Sequence, residues 1–365
     1  MAPNVRAAPQ ARKDGGRRGR TMAIALKGGE LYFITELDLL TGKRSGYYKI
    51  GLVKDARKGD SSTRRDEHQT ANPRLLEVEA VVTCPAIEAL ETAMHARYAP
   101  QRVRGEWFRL SPAQLTAAVT AATTLADRLD EAVPALQRAA RAQVKQPTAT
   151  IGRPKADDLE WHLQAVRAKH VAGRVKKLRD QVTDLLKSAR GAGADVDGLV
   201  EIRKPGSPTV SKTRVAAVRP DLVERFTRTT ESGKRLFKLL ATTPVDDVVV
   251  PKALVAAEEG LGALLRQKRR SRKHLEAVHG MFLDIAPIAN EADWALEFAT
   301  AEIMASCGRR SGIDGICSWT WQVRSTTSFD AAAFAKAHPK LAEQCMTQPA
   351  AGFTVLPMRG YTPRR

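Results

Sequence analysis

Between Tyr32 and Phe108 the chain alternates short β-rich runs with short helical ones, each closed by turn residues. That order admits little besides a small mixed α/β unit. Leu31-Tyr32-Phe33-Ile34 and Tyr47-Tyr48-Lys49-Ile50 are aromatic and β-branched runs, separated by Leu39-Leu40-Thr41-Gly42-Lys43, whose Thr-Gly-Lys is turn-like. They predict a hairpin with a long loop. Residues 64–69 read as a short helix ended near Asn72-Pro73. Residues 76–82 alternate with period two, as a third strand does. Residues 86–98 follow Pro85 as a helix with Ile87, Leu90 and Met94 on one face, and Trp107-Phe108-Arg109-Leu110 forms a last short strand before Ser111-Pro112. The expected fold class is α/β (α+β). Residues 27–112 form a domain with a three-stranded antiparallel sheet and flanking helices, and a mostly helical C-terminal half with small β elements follows.

The flanking segments divide by composition. Residues 1–26 are rich in Arg, Ala and Gly and read as a disordered basic arm, with an organellar targeting peptide as the alternative. Residues 113–144 are an Ala-rich helical extension broken at Pro134, and residues 145–158, with Pro147 and Pro154, read as a linker. Residues 159–243 form one helical/β module, and residues 244–365 hold a basic helix and a second module. The two modules show either a weak repeat, one unit duplicated, or a chance similarity. Asp197-Gly198-Leu199 precedes Arg219-Pro220-Asp221-Leu222-Val223-Glu224 as Asp314-Gly315-Ile316 precedes His338-Pro339-Lys340-Leu341-Ala342-Glu343. A helix expected over residues 258–283 carries Arg266, Lys268, Arg269, Arg270, Arg272 and Lys273 on all sides, either as a solvated arm or as a phosphate-tracking stripe. Gly152-Arg153-Pro154-Lys155 reads as linker rather than minor-groove hook, and Trp319 with Trp321 as core or interface rather than base-stacking platform.

Charge narrows the partner. The formal net charge of the 365-residue chain is +19, which suits a polyanion, because Lys and Arg release counterions from phosphates. Cys84, Cys307, Cys317 and Cys345 show no CxxC spacing, so neither a zinc site nor a disulfide framework is expected. Free thiols suit a reducing cytoplasm. No apolar run approaches the roughly 20 residues needed to span a bilayer.

The residue types inside the first domain suit phosphodiester chemistry. Arg64 offers a permanently charged fork for phosphate oxygens. His68 lies four residues on, one helical turn away, where it can accept a proton or orient water, while Arg65 faces another side. Glu91 is a hard oxygen ligand for Mg²⁺ or Mn²⁺, with His95 beside it at i+4. Tyr32 lies on the first strand, where its hydroxyl can relay a proton. Glu106 is either a supporting carboxylate or part of a core closure through Trp107 and Phe108.

Residues 30–110 resemble the GIY-YIG nuclease superfamily, in the phage-associated branch where YIG becomes KIG and the domain closes with GEWF. Glu30-Leu31-Tyr32 stands where GIY stands, Lys49-Ile50-Gly51 where YIG stands, and Arg64 with His68 matches the Arg-x-x-x-His pair. The resemblance implies a single divalent metal on Glu91, phosphate stabilisation by Arg64, nucleophile deprotonation assisted by Tyr32, and hydrolysis of DNA strands. Lys49 replaces the second tyrosine, with Tyr47 and Tyr48 beside it as alternative hydroxyls. The long stretch to Arg64 carries Lys54, Arg57 and Lys58, which suggests an added DNA-contacting loop. The expected function is a cytoplasmic, metal-dependent DNA endonuclease targeted by a basic C-terminal region. The alternative is a catalytically weak DNA-binding or recruitment module of the same fold.

Overall fold

The computed structural model describes residues 24–54, 59–70, 72–240, 249–267 and 271–358. The residues expected to form the N-terminal basic arm up to position 23, and Arg57, Lys58, Lys268, Arg269 and Arg270, lie outside them.

The first unit runs β1 (Gly29–Leu37), β2 (Arg44–Val53), α1 (Ser61–Gln69), β3 (Leu75–Cys84), α2 (Ile87–Arg97), a 3₁₀ turn (Ala99–Gln101), β4 (Arg102–Arg104), β5 (Trp107–Arg109) and α3 (Pro112–Gln143). The three expected strands are present and antiparallel. They are the larger part of a five-stranded sheet ordered β3-β1-β2-β5-β4, because the segment around Gly105 folds back as a hairpin onto the edge of β2. Alternation along β1 sends Leu31 and Phe33 to the face where Tyr48, Ile50, Phe108, Leu90 and Met94 close the core. Tyr32 and Ile34 go to the other face, with Val53 and Leu76. Both faces are covered, so Leu31 to Ile34 are all buried.

The short α1 buries only Ser61 and is held by polar ties rather than by an apolar stripe. Asp60 caps it by accepting from Thr63 N, and Glu30 on β1 accepts from Ser61 N at 3.1 Å and Ser61 Oγ at 2.6 Å. At the other end Gln69 accepts from Leu76 N at 2.7 Å and donates to Arg74 O. The helix is thereby fixed on the Tyr32 face.

The rest of the chain runs β6 (Ile151–Gly152), α4 (Ala156–Gly191), β7 (Val200–Arg203), β8 (Thr209–Val210), α5 (Lys212–Val218), α6 (Pro220–Arg225) and β9 (Thr227–Leu239). It continues with α7 (Lys252–Leu265), α8 (Arg272–Asp284), α9 (Ala286–Cys307), β10 (Gly312–Ile313), β11 (Cys317–Phe329), α10 (Ala331–Ala337), α11 (Pro339–Gln344), β12 (Met346–Thr347) and β13 (Gly352–Val355). Three expectations are corrected. Helix α3 continues through Pro134, because packing along α9 offsets the lost backbone bond. The expected linker contains β6, which pairs in parallel with β10. The basic helix over 258–283 is two helices: α7 ends with Arg266 as its C-cap, and Ser271 starts α8 by accepting from His274 N. Arg272, the first residue of α8, bonds Glu276 at 2.8 Å and lies 3.2 Å from Asp195, and Lys273 follows it.

The two modules fold alike and exchange strands. Each has an Asp-Gly turn whose glycine holds a left-handed conformation, Gly198 at φ 72° and Gly315 at φ 67°. Each then has a capped helix, started by Ser211 or Asp330, and a Pro-started helix after a residue with nearly the same dihedrals, Arg219 at −143°, 76° and His338 at −134°, 63°. The first strand of each module pairs with the last strands of the other. β11 pairs with β9 over thirteen residues, whereas β7–β8 meets β13–β12 in two short pieces separated by stretches holding Pro205, Pro208 and Pro349. The four short helices close over Val215, Leu222, Phe334 and Ala342 at the far end. Among the described residues no helix is long and apolar enough to cross a membrane.

Candidate active site

One cleft on the Tyr32 face gathers residues from β1, β2, α1, α2 and the β4–β5 turn. Its walls include Tyr32, Lys49, Lys54, Arg64, His68, Glu91 and Glu106. The sheet register explains why. Tyr32 lies opposite Gly51, and Lys49 lies opposite Ile34 on β1 and Trp107 on β5, so Tyr32 and Lys49 project to one side. Gly51 makes room for the ring of Tyr32. A β-carbon there would sit 2.5 Å from the tyrosine hydroxyl, closer than side-chain carbons approach. Burial, helped by the carboxylates of Glu106, Glu91 and Glu67 and opposed by Arg64, pushes the Tyr32 phenol up to about 12.

Helix α1 brings Arg64 and His68 to the same cleft, one turn apart. Arg64 donates to Glu67 at 2.5 Å and stays half-exposed. Partial burial, with the nearby positive charges of Lys49 and Arg64, holds the His68 imidazolium below its usual range. Arg65 pairs with Asp66 away from the cleft. Lys54 lies at the rim, 2.5 Å from Glu88.

Glu91 approaches from α2. Its carboxyl is pushed up to about 7, first by burial and then by the negative charge of Glu106, against the pull of Lys49, Arg102 and Lys54. Among the described residues no group of three or more His, Cys, Asp and Glu gathers as a metal cage. A carboxylate whose charge is disfavoured in this way, facing an open cleft, suits a hard divalent cation that keeps most of its waters. Glu106 forms an ion pair with Lys49. Burial pushes the Glu106 carboxyl up, but the hydrogen bond and charge of Lys49 outweigh it and hold the carboxyl below its usual range. Lys49 thus faces the cleft with a carboxylate already on its ammonium.

Three of the sequence candidates, Tyr48, Tyr47 and His95, lie elsewhere. Tyr48 is buried on the opposite face of the sheet against Phe108, its partner in register, and does not line the cleft. Tyr47 is part-exposed and accepts a hydrogen bond from Thr35 through its carbonyl. His95 places Nε2 2.8 Å from the carbonyl of Ile50 and packs on Phe108, so it ties α2 to β2. Burial, the largest influence on it, favours its neutral form. Glu67 joins the site as the partner of Arg64, and the only local sign of it in the sequence is its i+3 spacing from that arginine.

Comparison with curated proteins and with solved structures finds no match. Residues 31–123, which hold the whole cleft, match the T5orf172 domain, a phage-associated domain of the GIY-YIG/HNH-like endonuclease type.

Proposed function

We propose that this cleft hydrolyses DNA phosphodiesters, as a GIY-YIG-type endonuclease using magnesium or manganese. The observation that carries the reading is the convergence of Arg64, His68 and Tyr32 on a cleft that also exposes the raised Glu91 carboxylate. Arg64 binds the non-bridging oxygens of the scissile phosphate, releasing Glu67, and compensates the charge that grows on them. His68 takes the proton of the attacking water. The bond from phosphorus to the leaving sugar oxygen breaks as the new P–O bond forms, and solvent protonates the departing oxygen. The neutral form of His68 is favoured, whereas a Tyr32 phenol near 12 stays protonated at neutral pH and acts as a hydrogen-bond donor that orients the nucleophile. Glu91, with Glu106 nearby, would hold the cation, which when bound supplies positive charge at the phosphate. Lys49 and Lys54 add positive charge on the path of the strand.

The experiment compares wild type, Arg64→Ala and Glu91→Ala on single- and double-stranded DNA with Mg²⁺ or Mn²⁺, with binding followed in parallel. Metal-dependent cleavage by the wild type alone, with all three proteins folded, is the expected result. The ion pairs already formed by Lys49 and Arg64 favour a second reading, a DNA-binding module with weak catalysis. Tight, salt-sensitive binding without cleavage of any strand form would select it.

A further inference from the structure

The β9–β11 ribbon has two chemically different faces. Residues opposite each other in its register point to the same side, and successive residues alternate between sides. On one side Phe237, Arg235 and Trp319 anchor the base of the ribbon in the core, Trp321 lies over Gly233, and Glu231 is further out. The other side carries Arg228, Lys234 and Lys238 from β9 and Arg324 from β11. Every other side chain on it is Ser, Thr or Gln except the half-buried Leu236. None of its own side chains is a carboxylate, and Asp330 at the end of the ribbon lies 3.4 Å from Arg228.

We infer that this cationic, hydroxyl-rich face binds double-stranded DNA along its phosphates. The charge is complementary, and Ser, Thr and Gln donors supplement Lys and Arg at phosphate oxygens. Ten residue steps separate Arg228 from Lys238, about 33 Å at the rise of a strand, close to one turn of duplex. A two-stranded ribbon also has the width that a B-form major groove admits. The face presents no aromatic ring, because Trp319 is buried and Trp321 is on the opposite side, so it lacks the stacking platform by which proteins hold single strands. The ribbon is a contact surface separate from the basic residues expected at 266–273, and it rests on the nuclease reading only for the identity of the partner.

The test uses the full chain with Lys234→Gln, Lys238→Gln and Arg324→Gln combined, and a fluorescent duplex of about three helical turns in EDTA. Binding is followed by anisotropy across a salt series, so cleavage plays no part and failure of the nuclease reading is scored separately. The expected result is a loss of about tenfold or more in duplex affinity at moderate salt. The slope of log K against log salt should become shallower by about 3, roughly one per cation removed. Glu231→Gln, on the other face, should bind like the wild type. Duplex affinity and slope unchanged in the triple variant would overturn the proposal, and so would an equal loss on single-stranded DNA of the same length. Should the triple variant melt early, Lys238→Gln and Arg324→Gln singly carry the test, each expected to lower the slope by about 1.

Discussion

At the scale of single residues the cleft holds charged groups at a cost in stability, and Glu91 shows it most directly. Its carboxyl is pushed to about 7 in the fold, against 4.5 for the free group. The folded state therefore binds its proton more tightly than the unfolded chain does. The stabilisation is fully present below about pH 4.5 and is lost as pH rises through 7, where the folded protein must hold a half-buried negative charge. In metal-free buffer at pH 8, Glu91→Gln should be more stable than the wild type by about 1–2 kcal/mol, allowing for solvent screening of a partly exposed group. At pH 4 the two should melt together. Added Mg²⁺ should raise the melting temperature of the wild type at pH 8 and leave the variant unmoved. A variant that is less stable at pH 8 would remove the basis for a cation there. The tyrosines give a second residue-level contrast. Tyr32→Phe removes the hydroxyl in the cleft and should lower the cleavage rate by about 10²-fold or more. Tyr48→Phe removes one on the far side of the sheet and should cleave within about threefold of wild type, since the phenol faces the core. Equal losses in both would mean that the sheet register does not decide which tyrosine acts.

The elements show which parts of this arrangement the sequence made legible. Strands β1 and β3 and helix α2 are readable because their apolar periods are local, and Arg64 with His68 is readable because i and i+4 share a helix side. The choice between Tyr48 and its neighbours was not readable. It depends on the parity with which β2 returns to β1, and a one-residue change of register exchanges the faces. The break between α7 and α8 has one local signal, Ser271, whose side chain caps α8 inside a run of bases that is otherwise compatible with a continuous helix. Nothing local marks β6, two residues long, whose partner β10 lies far along the chain. Arg235 is hidden in the same way. Its sequence neighbours include Lys234 and Lys238, yet it is fully buried, with its guanidinium 3.6 Å from the Trp319 ring centroid. It donates to the carbonyls of Gly308, Arg310 and Trp319. It thereby ties the ribbon to the C-terminal end of α9. Arg235→Met should cost roughly 3–5 kcal/mol, because several carbonyls lose their donor in the interior. Urea denaturation would measure this, and a cost under about 1 kcal/mol would show that solvent reaches those carbonyls.

Across the whole molecule the nuclease-like unit and the C-terminal half share one hydrophobic core. Leu31, Phe33, Leu90, Leu129 and Leu136 belong to the same buried cluster as Leu296, Ile303, Met304 and Trp319. Helix α3 runs parallel to α9, with Arg128 2.7 Å from Glu291 and Arg138 3.9 Å from Glu302. The ribbon is rooted in that core through Phe237 and Trp319, so its outer face is carried on the same packed body as the cleft. A fragment ending at Gln143 would keep every residue of the cleft but lose the helix that lies along α3. Uncovering two or three leucines costs about 1.5–3 kcal/mol each, which together approaches the whole stability of a small domain. Such a fragment should therefore melt at least about 10 °C below the full chain or elute as soluble aggregate, whereas the full chain should unfold in one cooperative transition by both circular dichroism and tryptophan fluorescence. A monomeric fragment as stable as the full chain would show that the shared core adds no coupling between the halves. With that coupling, lost DNA affinity in the fragment reports a damaged cleft as readily as a missing contact surface, and substitutions on the ribbon of the intact chain separate the two.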